Sequence, residues 1–390
     1  MKKNTLAVLL GFAIAIVLLI FFDQFFRLTS IKKIHFEHFQ NTKRTAIDED
    51  ASTKIYNEVK DNKIFAWHPL VSHKEVQKLG SKDVDYSEKG LLPHLGHMVT
   101  NTSIKSIAKV KDTETHIYEA NISFDVYGRR IAPERPHADY NIIMFGDSFT
   151  MGEGLDDDQT LGYQLAQMRP EAQVYNFGLS GYGPNDIYYE ITHGPSTRLN
   201  GVNPRKSVIF YSYMDHHMER ILCRSECLQP GSEWLLDKPN YQLDDSGHLQ
   251  FKGFFKDRWL INKLFTYFNM SSFVKKNDLQ WPPFYTRKDY QLFAELVYQM
   301  KLKSMKLYHG SEFYFVLLPG FGNTYGPEVA AEVAKKDVHV LDYSSLDMNR
   351  ITHGKHFFPL DGHPTPISDY IFAYLLNRDL PTAKTMAEKD

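Results

Sequence analysis

Cysteine is almost absent from this chain: two in 390 residues, Cys223 and Cys227, both within "CRSEC". So few rule out a fold stapled by many disulfides, and with no histidine at ligand spacing beside them they give no zinc site. Two thiols four residues apart can meet in a bridge on a helical or tightly turned chain, or stand unbridged on one helix face. Net charge is equally scarce. Lys and Arg number 45 against 47 Asp and Glu, a formal −2, and there is no long basic block and no zinc-finger or helix-turn-helix pattern, so nucleic acid is excluded as a partner. Histidines occur in pairs such as His35/His38 and His94/His97, but neither pair has a third ligand, so they read as surface or core residues and no metal or cofactor is expected.

What the chain does have is apolar mass: 43% of it is hydrophobic, enough for one large core with additions. One uncharged run stands apart. From Thr5 to Phe22, after Lys2 and Lys3, no residue is charged, and at about 1.5 Å per helical residue the run nearly matches a bilayer core. The stretch "LIFFDQFFRLTS", which overlaps the end of this run, has bulky residues where a signal peptidase needs small ones. Residues 1–27 are therefore expected to form an uncleaved, single-pass membrane anchor. The charges do not orient it, because Arg27, Lys32 and Lys33 follow the run about as closely as the two lysines precede it.

Residues 28–137 read as a stalk and a small mixed α/β region, with "ETHIYEANISFDVYGRR" alternating as strands do and "GLLPHLGHM" and "APERPHADY" reading as loops. From Asn141 on, five strand-like runs ("NIIMF", "AQVYNF", "KSVIFYSY", "SEFYFVLL", "VHVLD") alternate with helical stretches at 159–168, 184–192, 216–222, 289–308 and 368–376. That order predicts a parallel sheet covered on both faces. Residues 224–285 break it and read as an insertion, with a hairpin about Asp245-Ser246-Gly247 and an aromatic-rich helix over 258–268. Residues 381–390 read as a polar tail.

The chemistry gathers at strand ends. In "NIIMFGDSFTMGEG" the apolar run ends at Gly146, a residue tolerant of unusual backbone angles, and Ser148 follows just beyond the strand's carboxyl end, where open α/β sheets bind ligands. Far along the chain, "PLDGHP" puts Asp361 and His363 two apart, on one side of an extended segment. Asp361 could then hold Nδ1 of His363 and leave Nε2 for the proton of Ser148.

"GDSFT" at 146–150, "NFGLSGYG" at 176–183 and "DGHP" at 361–364 resemble the first, second and last blocks of the SGNH/GDSL hydrolase superfamily, in the right order and over roughly 138–380. The resemblance implies a flavodoxin-like three-layer α/β/α sandwich with five parallel strands. It implies Ser148 as nucleophile, His363 as base and Asp361 as its orienter, with the amides of Ser148 and Gly178 as oxyanion donors. Two departures stand out. The third block's usual asparagine, another donor, is replaced by Met214, whose thioether donates nothing; either His216 or His217 substitutes, or the site works with two donors, or catalysis has been lost, and a histidine substitute is the preferred expectation. The usual acid lies three residues before the histidine, a place held here by Leu360.

The function so implied is that of a serine esterase or acyltransferase working through an acyl-enzyme. Its substrate would be an ester-bearing small molecule or the O-acyl groups of an envelope or exported carbohydrate. With the anchor in the inner (cytoplasmic) membrane, the catalytic domain would face the periplasm. The alternative is a binding or assembly protein of the cell envelope that keeps the fold without catalysis.

Overall fold

A computed structural model describes residues 47–80, 83–89, 100–193, 197–277, 279–282, 284–321 and 324–387. The expected anchor and His35, His38, His94 and His97 lie outside the described residues. Among the described residues no helix is long and apolar enough to cross a membrane.

Strands β1 (Val84–Lys89), β2 (Thr102–Val110) and β3 (His116–Phe124) form a small antiparallel sheet. Strands β4 (Tyr140–Phe145), β5 (Ala172–Asn176), β6 (Ser207–Tyr213), β9 (Gly310–Leu317) and β10 (His339–Asp342) form the main sheet, all parallel, in the order β10-β9-β6-β4-β5. Each overlaps one of the five runs predicted from sequence. The main strands counted by themselves run 2-1-3-4-5, the flavodoxin-like order, whose chain reversal opens a crevice beside the first strand's carboxyl end. Ser148 follows that strand directly.

Helices cover both faces because successive side chains of a strand point opposite ways. Those used below are α1 (Glu49–Val59), α2 (Ser148–Met151), α3 (Leu161–Met168), α4 (Pro184–His193), α5 (His216–Leu222), α6 (Trp259–Met270), α7 (Arg287–Leu307), α8 (Gly326–Ala334) and α9 (Pro366–Asp379). Ile143, Phe145, Ile209, Tyr211, Phe313 and Phe315 pack with α4, α7 and α8. Their strand neighbours Ile142, Met144, Val208, Phe210, Tyr314 and Val316 pack with α1, α3 and α9 on the other side. The result is a three-layer α/β/α sandwich.

The amino-terminal region is less separate than its sequence suggests. Ile55 and Val59 of α1 are buried in one face of the main core, and Ile122 and Phe124 of β3 in the other. Residues 383–387, read as polar tail, form a helical turn that buries Met386 against the same core as α1. In the insertion, β7 (Pro239–Leu243) and β8 (Leu249–Phe254) make the predicted hairpin, its turn held by Asp244 Oδ1, which accepts from the amides of Ser246 and His248 at 2.9 Å each. Cys223 and Cys227 are bridged and buried at the foot of the insertion.

Candidate functional site

Strand β4 is buried along its whole length, and the chain leaves it at Gly146 to begin α2 with Ser148 as its first residue. Gly146 is needed for space: a Cβ there would lie 1.9 Å from Thr150 Oγ1. Asp147 caps the turn, its Oδ1 accepting from the Phe149 amide at 3.1 Å. Its Oδ2 is 2.7 Å from Arg220 Nη1 and 3.1 Å from His217 Nε2. Burial opposes ionisation of Asp147, but His217 and Arg220 outweigh it and hold this carboxyl well below the usual range.

The loop after β5 is tied onto this turn. Leu179 donates its amide to Gly146 O at 3.4 Å, and Arg220 Nη1 also donates to Tyr182 O at 2.7 Å. Gly178 permits the close approach, since a Cβ would sit 2.4 Å from the Met151 amide nitrogen. The loop's far end is pinned by Asp186, whose Oδ2 accepts from the Gly183 amide at 2.8 Å and pairs with Lys238 of the insertion at 2.6 Å, the two side chains being buried together. The amide of Gly178 donates to Asn176 Oδ1 at 2.9 Å, so it is already occupied. Nothing among the described residues accepts from the amide of Gly181, further along the loop.

The last block reaches the same place by a tight turn rather than an extended segment. Gly362 donates to Phe358 O and Phe358 to His363 O, at 3.0 Å each, and Leu360 takes a left-handed φ of 64°. Within the turn, Asp361 Oδ1 accepts from the His363 backbone amide at 3.0 Å and lies 2.8 Å from His363 Nδ1. This Asx turn lets a spacing of two replace the usual three: one oxygen orients both backbone and ring. Tyr86 Oη of β1 donates to the other oxygen, Oδ2, at 2.8 Å. Asp361 is held below its ordinary pKa although burial works the other way, because His363 and then Tyr86 stabilise the carboxylate.

His363 packs on Phe149, the neighbour of Ser148, with ring centroids 5.2 Å apart. Its Nε2, however, lies 3.6 Å from Glu153 Oε2, and Ser148 Oγ makes no hydrogen bond among the described residues. Glu153 stands one turn beyond Ser148, donates its amide to Ser148 O at 3.0 Å, and accepts from the Ser180 hydroxyl. Burial alone would lower the His363 pKa, yet the Glu153 and Asp361 carboxylates together push it up to about 9. At neutral pH the ring is an imidazolium.

The residues expected to replace the missing asparagine are committed elsewhere. Met214 is buried after β6. His217 is fully buried, with Nδ1 accepting from Tyr211 Oη at 2.6 Å and from the Met214 amide at 3.4 Å. Its Nε2–H therefore faces Asp147, and burial lowers its pKa to about 4, keeping the ring neutral. His216 is exposed, with Nδ1 3.1 Å from Glu219 Oε2. No contact joins either histidine to Ser148. Glu153 and Tyr86 were not singled out from sequence; the one local sign is the position of Glu153 between Gly152 and Gly154, both at positive φ. A cavity of about 560 Å³ lined by Tyr127, Arg129, Gln173 and Tyr175 includes none of Ser148, Asp361 and His363.

No family profile and no curated protein matches the chain. Solved structures do align with it. A member of the lipolytic protein G-D-S-L family from Veillonella parvula DSM 2008 is 13% identical, over 62% of this chain and 98% of that one, with a TM-score of 0.32. A family two carbohydrate esterase from Clostridium thermocellum, in complex with cellohexaose, is 11% identical over 65% and 66%, with a TM-score of 0.35. An acetyl xylan esterase from the rumen bacterium Butyrivibrio proteoclasticus is 12% identical over 64% of each chain, with a TM-score of 0.37. At these scores the likeness carries neither residue roles nor an activity over to this chain.

Proposed function

We propose that the protein is a serine esterase or acyltransferase of the SGNH/GDSL type, with Ser148 as nucleophile, His363 as base and Asp361 as its orienter. The observation that carries this reading is the Asp361–His363 pair, 2.8 Å apart at Nδ1, on a ring packed at a tilt against Phe149, the residue next to Ser148. Once Nε2 is neutral and turned from Glu153 to Ser148, the hydroxyl proton passes to it as Oγ attacks the ester carbonyl carbon. The tetrahedral oxyanion is met by the amide of Ser148 and by that of Gly178, once the latter is released from Asn176 Oδ1. Collapse releases the alcohol, which takes the proton from Nε2. Water or a second alcohol then attacks the acyl-serine, giving hydrolysis or transfer. We assign the substrate to O-acyl groups of an envelope or exported carbohydrate, on the resemblance and the expected anchor over 1–27. The same anchor, with the bridged Cys223–Cys227, favours an inner-membrane protein whose domain lies in the oxidising periplasm.

The second reading, a non-catalytic binding or assembly protein, is favoured by the unbonded Ser148 Oγ and by Nε2 facing Glu153. A fluorophosphonate probe on the full chain separates the two, because only an activated serine reacts. Labelling that disappears in Ser148→Ala supports the enzyme; no labelling of the folded protein at any pH up to 10 or so, about one unit above the ring's pKa, rejects it.

A further inference from the structure

The insertion carries a helix that is built inside out. In α6, "WLINKLFTYFNM", no residue is buried, and Trp259, Tyr267 and Met270 are 66%, 61% and 65% exposed, with Leu260, Ile261 and Leu264 exposed beside them. Besides half-buried Phe265 and Phe268, the side chains that hold it to the protein are polar. Arg258, at its start, donates to the carbonyls of Leu222 and Cys223 at 3.1 and 2.6 Å, Asn262 Nδ2 donates to Phe255 O at 2.9 Å, and Asn269 Nδ2 to Ser225 O at 2.6 Å. Positions 258, 262, 265 and 269 share one helical face, on which half-buried Phe265 sits between the polar anchors, while Trp259, Leu260, Ile261, Leu264, Tyr267 and Met270 are turned to the outside. Trp281, also exposed, extends the patch by packing on Phe268 with centroids 6.1 Å apart. A contiguous apolar patch of this kind marks an interaction surface.

Its surroundings select the occupant. Between residues 252 and 276 stand Lys252, Lys256, Arg258, Lys263, Lys275 and Lys276, against Asp257 alone. Lys263 Nζ lies 5.3 Å from the Trp259 ring centroid. Exposed aromatic and aliphatic side chains fringed by lysines suit the boundary between lipid headgroups and acyl chains, where Trp and Tyr keep an apolar body and a polar tip. The uncharged run Thr5–Phe22 belongs to the same chain, and only 24 residues, 23–46, separate it from the described part. Fully extended these reach at most about 86 Å, so a run set in a bilayer would hold α6 at high local concentration against that bilayer. The insertion also borders the site: the Trp234 ring meets Gly181, where an added Cβ would come within 2.9 Å.

We propose that α6 is a membrane-docking helix, which lies along the surface of a bilayer containing anionic lipid, with Trp259, Leu260, Leu264, Tyr267 and Met270 inserted at the headgroup level. A second contact in addition to the tether would restrict how the loop carrying Gly181 faces the membrane.

The test uses the full chain reconstituted into vesicles of phosphatidylethanolamine and phosphatidylglycerol whose acyl chains are brominated near the headgroups. The four tryptophans are Trp67, Trp234, Trp259 and Trp281, and none lies in residues 1–46, so quenching reports on the folded part alone. Quenching should be clear in the wild type and fall about twofold or more in Trp259→Phe. Leu264→Glu should lose it while circular dichroism stays unchanged, and zwitterionic vesicles should give less of it. The proposal is overturned by equal quenching in wild type and Trp259→Phe. It is equally overturned by an unquenched α6 in a dimer that Leu264→Glu separates, or by an unquenched α6 in a monomer, which would mean that residues 1–46 cover it.

Discussion

Nε2 of His363 lies 3.6 Å from Oε2 of Glu153, while Nδ1 of the same ring lies 2.8 Å from Oδ1 of Asp361. The imidazole is bracketed by two carboxylates, and Nε2, the nitrogen proposed to serve Ser148, faces Glu153. The resting site is thus a protonated one, and the expected outcomes below follow from that arrangement.

Activity toward a small acetyl ester should follow deprotonation of His363. Because its pKa is up at about 9, kcat/KM should climb with pH through about 9 instead of through the ordinary value near 6.5. In Glu153→Gln one of the two raising charges is gone, and the limb should move down by a unit or so. Folding stability carries the opposite sign. A raised folded-state pKa adds stability that is complete below about 6.5 and is lost as pH rises through about 9. Denaturant midpoints of wild type and Glu153→Gln should therefore differ most below about pH 6.5, as long as carboxylates are still ionised, and converge as pH rises through about 9. An unmoved kinetic limb would show that Glu153 does not act on the ring.

Asp361→Asn should lower kcat by a factor on the order of 10⁴, since the imidazolium loses its counter-charge and the ring its tautomer. Tyr86→Phe removes only the donor to Oδ2. It should lower kcat far less and leave KM unchanged. Equal losses in the two proteins would mean that Tyr86 acts on substrate directly.

Met214→Asn tests the missing oxyanion donor. If the buried Met214 side chain faces the developing charge, an amide there should raise kcat, by up to the 100- to 1000-fold or so that such a donor is worth elsewhere. His217→Ala should act on stability, at about 2 kcal/mol or more, because it strips Tyr211 Oη and Asp147 of a buried partner. A folded His217→Ala protein with normal denaturant resistance and lost turnover would restore His217 as a catalytic donor.

Lys238→Met leaves the buried carboxylate of Asp186 without its cation. Breaking such a pair from one side costs about 3–5 kcal/mol. Urea denaturation checks this, and a change below about 1 kcal/mol would show that water replaces the ammonium.

Exposure of the domain beyond residue 46 to protease in intact spheroplasts checks its side of the membrane. Digestion without lysis is expected; protection until lysis places the domain in the cytoplasm.

Much of this was legible along the chain. The five buried strands are runs such as "NIIMF" and "KSVIFYSY", and a strand buried on both faces must be apolar at nearly every position, so it shows without any partner. The hairpin about Gly247 was legible for another local reason, the turn chemistry of Asp244 to Gly247. Ser148, Asp361 and His363 could be found because their blocks are short and contiguous. The geometry of Asp361 and His363 could not, since an extended segment and an Asx turn both put residues two apart on one acceptor, and only the bonds around Phe358 select the turn.

The sequence by itself determined the layer order, the strand ends where chemistry can gather, and which side chains are available there, because burial patterns and turn residues act over a few positions. Only the tertiary structure decided what those side chains face. Glu153 meets His363 across more than 200 residues of chain, Tyr86 meets Asp361 from a separate sheet, and His217 is turned inward onto Asp147 and Tyr211 rather than outward to Ser148. Such pairings depend on how the elements pack, and packing distances between residues remote in the chain leave no periodic trace in its sequence.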